Sequence, residues 1–129
     1  MASDFVYFSS RDELLKIDLR RVLFFEADAN YTIIVSSNGL SSMVLMSLGK
    51  MEDLLSARSK SEKASFARIG KRYIINLSYI YRINALKQEL TLSDQRFFSQ
   101  TLSISKEALK KLKELMSRST LKSTSNSER

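Results

Sequence analysis

The chain has 129 residues, the size of one ordinary domain that can bury its own core. It contains no Cys and no His, which excludes disulfides, thiolate metal sites and the commonest general base and transition-metal ligand. No apolar run approaches the roughly 18 residues that span a bilayer, and the N-terminus has no signal-peptide pattern. We therefore predict a cytoplasmic protein that makes no membrane contact.

The positive charge is concentrated in the second half of the chain, within a formal net charge of +7. Residues 1–57 carry five basic and eight acidic side chains, a net charge of −3, whereas residues 58–129 carry sixteen and six, a net charge of +10. A basic surface attracts polyanions, chiefly DNA, RNA and anionic membranes. The alternative is that the charge only keeps the protein soluble.

The first half of the chain predicts short β-strands and one helix. The predicted strands cover residues 5–8, 14–18, 22–26, 31–36 and 40–46. The run 22–26 is apolar until Glu26, which is typical of a strand buried on both faces. Asn38-Gly39 predicts a hairpin with a type I′ turn, because both residues tolerate positive φ. Ser47 is a good N-cap for a short helix with an apolar stripe of Leu48, Met51, Leu54 and Leu55.

The second half predicts five more strands and a final helix. After an exposed loop at 57–64, the strands cover 66–69, 73–75, 79–86, 90–92 and 96–102. Ser105 caps a helix whose apolar face consists of Ala108, Leu109, Leu112, Leu115 and Met116. The chain beyond it has little to bury, so we predict one domain at 1–117 and a disordered tail at 118–129. Many short strands with two short helices indicate a mainly β, antiparallel fold.

Three segments carry a resemblance to a known family. Residues 22–32 form an apolar strand that ends in an acid before Asn30 and Tyr31. Residues 66–77 contain Arg-Ile-Gly-Lys-Arg-Tyr-Ile-Ile-Asn, and residues 102–106 end in Ile-Ser-Lys at the start of the last helix. In this order and spacing, the segments resemble the LytTR family of bacterial DNA-binding domains, and the resemblance covers residues 14–116.

The resemblance implies both a fold and a partner. Family members have an elongated fold of three small antiparallel sheets with short helices, and many are output domains of two-component-type response regulators. They insert loops into successive major grooves and usually occupy paired direct repeats. The implied function is therefore sequence-specific binding of double-stranded DNA by a bacterial transcription regulator, and a homodimer on the DNA is one expectation.

The resemblance also implies contact positions on three loops. They are Asn30, Tyr31 and Thr32 on the first loop, Lys71 and Arg72 on the second, and Ser105 and Lys106 on the third; Arg68 adds a further cation beside the second loop. Gly70 stands where members commonly have His, Arg72 where they often have Ser, and Lys106 where Arg is common. We expect the three loops to converge on one side of the folded molecule.

Several of these residues, and Asn76 beside them, also have a purely structural interpretation, and Lys71 and Arg72 are otherwise ordinary solvated loop cations. Arg68 either shares a face with Gly70 and Arg72 or pairs with a carboxylate such as Glu26. Ordinary roles are the alternative for other positions: a helix cap for Ser105, a turn residue for Asn30, a core residue for Tyr31, and satisfaction of backbone groups at a bend for Asn76.

Two other functions remain open at the level of sequence. One is a non-specific electrostatic binder of RNA or anionic surfaces, and the other is a protein-interaction module that kept the fold. An enzyme is not expected, because the carboxylate pairs are adjacent in turn or helix contexts and no Gly-rich phosphate loop is present. We therefore predict no catalytic residues, no cofactor and no metal. The sequence does not decide between a stand-alone regulator and a piece of a longer protein.

Overall fold

Three antiparallel sheets and two helices make up the part of the chain that the structure describes. The structure, a computed structural model, covers residues 4–58 and 65–117, so the predicted tail and most of the predicted loop at 57–64 lie outside it. The strands are β1 (Phe5–Ser9), β2 (Leu14–Asp18), β3 (Val22–Asp28), β4 (Tyr31–Ser36), β5 (Ser41–Val44), β6 (Phe66–Ile69), β7 (Tyr73–Asn76), β8 (Ile80–Asn84), β9 (Glu89–Ser93) and β10 (Ser99–Ser103). The helices are α1 (Leu48–Ala57) and α2 (Lys106–Met116).

The central sheet has five strands in the order β5-β4-β3-β7-β6, with β3 in the middle. The first four residues of β3 are buried, as the continuous apolar run predicts. Successive side chains point to opposite faces, so Phe24 and Phe25 enter two different hydrophobic clusters. Phe24 lies edge-on to Tyr73 at 5.8 Å between ring centroids, and Phe25 lies edge-on to Phe66 at 5.4 Å. The prediction of a strand buried on both faces is confirmed.

Different elements cover the two faces of this sheet. The β1–β2 hairpin and α1 cover the Phe25 face, where Leu48, Met51 and Leu55 of α1 are buried. The second sheet, ordered β10-β9-β8, covers the Phe24 face together with α2, which buries Leu109 and Leu112. Burial of one such side chain stabilises the fold by roughly 1.5–3 kcal/mol. Each covering layer is thus attached through its own hydrophobic cluster.

Asn76 links the end of β7 to the start of the neighbouring strand β3. Its side chain is buried, and Nδ2 donates to the backbone oxygen of Val22 at 2.8 Å. Its Oδ1 accepts the N–H of Ser78 at 3.0 Å and caps the 3-10 turn Leu77–Tyr79. The structural role predicted for Asn76 is confirmed, because both polar ends of the side chain satisfy backbone groups.

The β4–β5 hairpin lies where Asn38-Gly39 predicts it, but its turn is not type I′. That turn needs positive φ at both central residues, and here Gly39 has φ +88° while Asn38 does not have positive φ. Asn38 instead accepts the N–H of Leu40 on its side-chain Oδ1 at 3.0 Å. The Gly39 N–H donates to the backbone oxygen of Ser36 at 3.0 Å. The loop runs from the end of β4 at Ser36 to the start of β5 at Ser41, so it is longer than two residues and β5 is shorter than predicted.

Two further predicted strands are longer than the observed ones. The stretch 79–86 contains β8 only from Ile80 to Asn84. The 3-10 turn includes Tyr79 at its start, and the turn closed by the bond from the Lys87 N–H to Asn84 Oδ1 includes residues 85 and 86 at its end. The stretch 96–102 contains β10 only from Ser99, because the Asp94 carboxylate organises the turn before it. Asp94 Oδ1 accepts the N–H groups of Arg96, Phe97 and Phe98 at 2.9, 3.0 and 3.0 Å. Helix α2 begins after Ser105 as predicted, although Leu115 and Met116 remain exposed.

No helix among residues 4–58 and 65–117 combines the length and the apolar character needed to cross a membrane.

The Asp94 turn generates a prediction about pH. The backbone N–H groups of Arg96, Phe98 and Phe97 lower the pKa of Asp94 below its ordinary value of 3.8, since they stabilise the charged form. A lowered folded-state pKa means that this stabilisation is present above pH 3.8 and is lost as pH falls through the folded pKa. We expect Asp94→Ala to unfold more easily than wild type at pH 7 and the difference to shrink in acid, measured by urea denaturation across pH. An equal difference at every pH would contradict it.

The turn between β6 and β7 generates a second prediction. Gly70 has φ +65° in this turn, and a Cβ there would meet no atom within 4 Å, so only backbone strain opposes a side chain. Gly70→Ala should therefore lower the free energy of unfolding by about 1 kcal/mol. Gly49→Ala is the matched control, because Gly49 is helical and Ala there should raise it by about 0.5–1 kcal/mol. Denaturant melts measure both, and the same sign for the two variants would refute the argument.

Candidate nucleic-acid interface

Two of the predicted loops lie side by side at one end of the central sheet. The β3–β4 turn joins the paired residues Asp28 and Tyr31, so Asn30 lies in that turn. The β6–β7 turn is next to it, because β3 also pairs with β7, with Glu26 opposite Tyr73. The Ala27 N–H donates to the backbone oxygen of Arg72 at 2.9 Å, which joins the β6–β7 turn to the end of β3 just before the first loop.

The third loop, at the start of α2, faces the β6–β7 turn across an open cleft. Ser105 is the N-cap of α2, as predicted, and its Oγ accepts the N–H of Ala108 at 3.3 Å. Gly70 and Ser105 line the same open cleft of about 410 Å³, together with residues of β6 and of the inner face of α2. Lys106 follows Ser105 and is exposed. The β6–β7 turn therefore neighbours both of the other predicted loops.

The first loop presents only two of its three predicted contact residues. Asn30 is exposed and Tyr31 is 41% exposed, so Tyr31 is not a core residue. Thr32 is fully buried, and its Oγ1 donates to the backbone oxygen of Met46 at 2.7 Å. Alternation along β4 places Thr32 on the same face as the buried Ile34, a signal that was available from the sequence. Thr32 supports the loop from below and has no surface to offer a ligand.

Arg68 holds the second loop in shape. Its guanidinium donates from Nε to the backbone oxygen of Gly70 at 3.2 Å and from Nη2 to that of Lys71 at 3.1 Å. Its Nη1 pairs with Oε1 of Glu52 on α1 at 2.9 Å, so the carboxylate partner is Glu52 and not Glu26. Three of its five N–H donors are bonded inside the protein, so Arg68 positions the neighbouring cations of the turn.

Arg72 is the residue that pairs with Glu26. Its Nη2 lies 2.8 Å and its Nε 3.1 Å from Oε2 of Glu26, and its side chain remains 68% exposed. The guanidinium carbon is also 5.7 Å from the centroid of the Tyr73 ring. Burial and the Glu26 carboxylate raise the pKa of Tyr73, while Arg72 opposes that rise. The ion pair uses one edge of the guanidinium and leaves the N–H groups of the outer edge free to bind a ligand.

Lys71 and Lys106 complete the set of cations at this end of the domain. Both are exposed, and neither forms an ion pair with any residue that the structure describes. A lysine with an unpaired ammonium group suits the phosphates of a polyanion. Acidic groups are also near, since Asp28 is exposed in the first loop and Glu107 lies in the first turn of α2.

The arrangement combines cations, which suit an anionic ligand, with polar side chains that can hydrogen-bond to it. Six predicted residues lie on the three adjoining loops and have exposed positions: Asn30, Tyr31, Lys71, Arg72, Ser105 and Lys106. Thr32 and Arg68 act beneath them. Glu52 was not identified as a partner from the sequence, and Glu26 was considered only for Arg68, because the true pairings depend on strand register and on where α1 packs.

Comparisons with known proteins agree with this architecture. A family model for the LytTr DNA-binding domain matches residues 12–117. The fold is similar to that of a solved structure, the LytTr DNA-binding domain of a methyl-accepting/DNA response regulator from Bacillus cereus. The two chains are 19% identical, the match covers 89% of this chain and 98% of that chain, and the TM-score is 0.63. No curated protein matches this chain.

These findings confirm two predictions, the family and the mainly β fold of three small antiparallel sheets with two helices. The structural likeness shows the fold, and the family model extends over most of the sequence. The chain therefore belongs to the LytTR family of DNA-binding domains.

Proposed function

We propose that this domain binds a preferred sequence in double-stranded DNA through loops that enter the major groove, and that it serves a transcription regulator. The observation that carries the proposal is the adjacency of three loops that present Lys71, Arg72 and Lys106 beside polar side chains. Family membership supplies DNA binding as the general function. Loops and not a helix are the proposed reading elements, because Asn30, Lys71 and Arg72 lie on turns between strands.

The side chains divide between holding the duplex and reading it. Lys71 and Lys106 are point charges, which neutralise phosphates without distinguishing bases. Arg72 has a planar fork that can bind the O6 and N7 atoms of guanine, and Asn30 can bind the N6 and N7 atoms of adenine. Glu26 fixes the orientation of Arg72 before DNA arrives, which lowers the entropy lost on binding.

Arg72 provides the main test of sequence reading. Selection of bound duplexes from a randomised pool should yield a preferred sequence for the wild type. We expect Arg72→Ala to lose about 1–3 kcal/mol of discrimination between that sequence and a scrambled duplex, the size of one bidentate contact to a base. Binding to both duplexes would be measured by fluorescence anisotropy at two salt concentrations.

Two control variants separate base reading from simple charge effects. Arg72→Ala also leaves the Glu26 carboxylate unpaired, so the double variant Glu26→Gln/Arg72→Ala removes that repulsion and should still lack discrimination. Arg96→Ala removes an exposed cation at the other end of β10 from Ser105 and should leave discrimination intact. Recovery of discrimination in the double variant would show that Arg72 only neutralises Glu26. Equal binding of every nucleic acid by the wild type would favour the non-specific binder, and no DNA binding would favour the protein-interaction module.

The proposal extends to two copies on paired direct repeats. A duplex with two copies of the preferred sequence in the same orientation should bind two protein chains, and a duplex with one copy should bind one chain. Analytical ultracentrifugation of each complex measures this stoichiometry. A single chain on both duplexes would exclude the paired arrangement.

A further inference from the structure

A fourth turn lies at the same end of the molecule as the three loops. Residues 85–88 connect β8 to β9. The backbone oxygen of Gln88 accepts the N–H of Ile104 at 3.0 Å, and Glu89 is paired with Ser103 of β10. Ile104 directly precedes Ser105, so these contacts place the β8–β9 turn beside the start of α2. The family resemblance implies no contact residue in this turn.

The β8–β9 turn is held rigidly and exposes a cation. The backbone N–H of Lys87 donates to Asn84 Oδ1 at 3.0 Å, and that of Gln88 donates to the oxygen of Ala85 at 3.2 Å. Gln88 has φ +57°, a left-handed conformation that these bonds maintain. Leu86 is 81% exposed and Lys87 is exposed as well. Lys87 forms no ion pair within residues 4–58 and 65–117.

We propose that Lys87 is a further DNA contact, which binds a backbone phosphate next to the one held by Lys106. This inference rests on the proposed function, since it extends the same interface across the second sheet. The nearest acid in sequence, Glu89, does not oppose it directly. Leu90 points into the core, so alternation directs Glu89 to the outer face of that sheet, away from the end of the domain.

The chemistry of Lys87 predicts a contact that holds DNA without reading it. An ammonium group on a flexible stem interacts with phosphate as a point charge, and phosphate is present at every position of a duplex. Loss of such a contact should weaken binding to all sequences by the same factor. It should also reduce the dependence of binding on salt, because one fewer counterion is released.

The test compares two turns at opposite ends of β9. Lys87→Gln removes the cation of the β8–β9 turn, and Arg96→Gln removes an exposed cation of the β9–β10 turn. The two variants have the same net charge. Binding of the full chain to the selected duplex and to a scrambled duplex of equal composition would be measured between 50 and 200 mM salt, with thermal melts as the check on folding.

For Lys87→Gln we expect affinity to fall equally for both duplexes and the slope of log K against log salt to lose about 0.9 in magnitude. Over this salt range the wild type should then lose about 3.5-fold more affinity than the variant. Arg96→Gln should match the wild type. The inference is overturned by an unchanged slope in Lys87→Gln, by an equal effect of Arg96→Gln, or by a loss confined to the selected duplex. If the wild type binds neither duplex, the proposed function fails as well.

Discussion

Burial of β3 on both faces is the constraint on which the rest of the structure depends. Because Phe24 and Phe25 face opposite ways, each side of the central sheet must be covered by another layer. The hairpin and α1 cover one side, and the second sheet and α2 cover the other. Covering the Phe24 face brings α2 and the β8–β9–β10 sheet to the edge where the β6–β7 turn projects. The candidate interface is thus a by-product of covering an apolar strand.

The turns at this end are shaped by side chains that hydrogen-bond within the protein. Thr32 hydrogen-bonds β4 to the segment before α1. Arg68 binds backbone oxygens of the β6–β7 turn and pairs with Glu52 of α1. Asn76 performs a similar task at the other end of β7. Such contacts fix where the exposed cations lie, and rigid placement of binding groups reduces the entropy lost on association.

Local patterns in the sequence predicted most of the elements, whereas partners distant in sequence were not predictable. The apolar run of β3, the caps Ser47 and Ser105, and the β6–β7 turn follow from short-range spacing, and all were confirmed. The pairing of Arg72 with Glu26 depends on the register between β3 and β7, and that of Arg68 with Glu52 on how α1 packs. The strand starts at Ser99 and Ile80 were missed because hydrogen bonds to Asp94, and a 3-10 turn before β8, replace strand pairing there.

Under the proposed function, the Arg72–Glu26 ion pair affects how tightly the domain binds DNA that lacks its preferred sequence. A lone arginine would be attracted to any stretch of duplex, whereas this guanidinium already has an anionic companion only 2.8 Å away. A DNA acceptor must therefore bind the N–H groups that Glu26 leaves free, or replace Glu26 as the partner of Arg72. If Arg72 reads bases as proposed, an acceptor at a mismatched position has weaker geometry and competes with the Glu26 carboxylate less well than the correct base does. Glu26 would then increase sequence discrimination by making binding to other sequences less favourable.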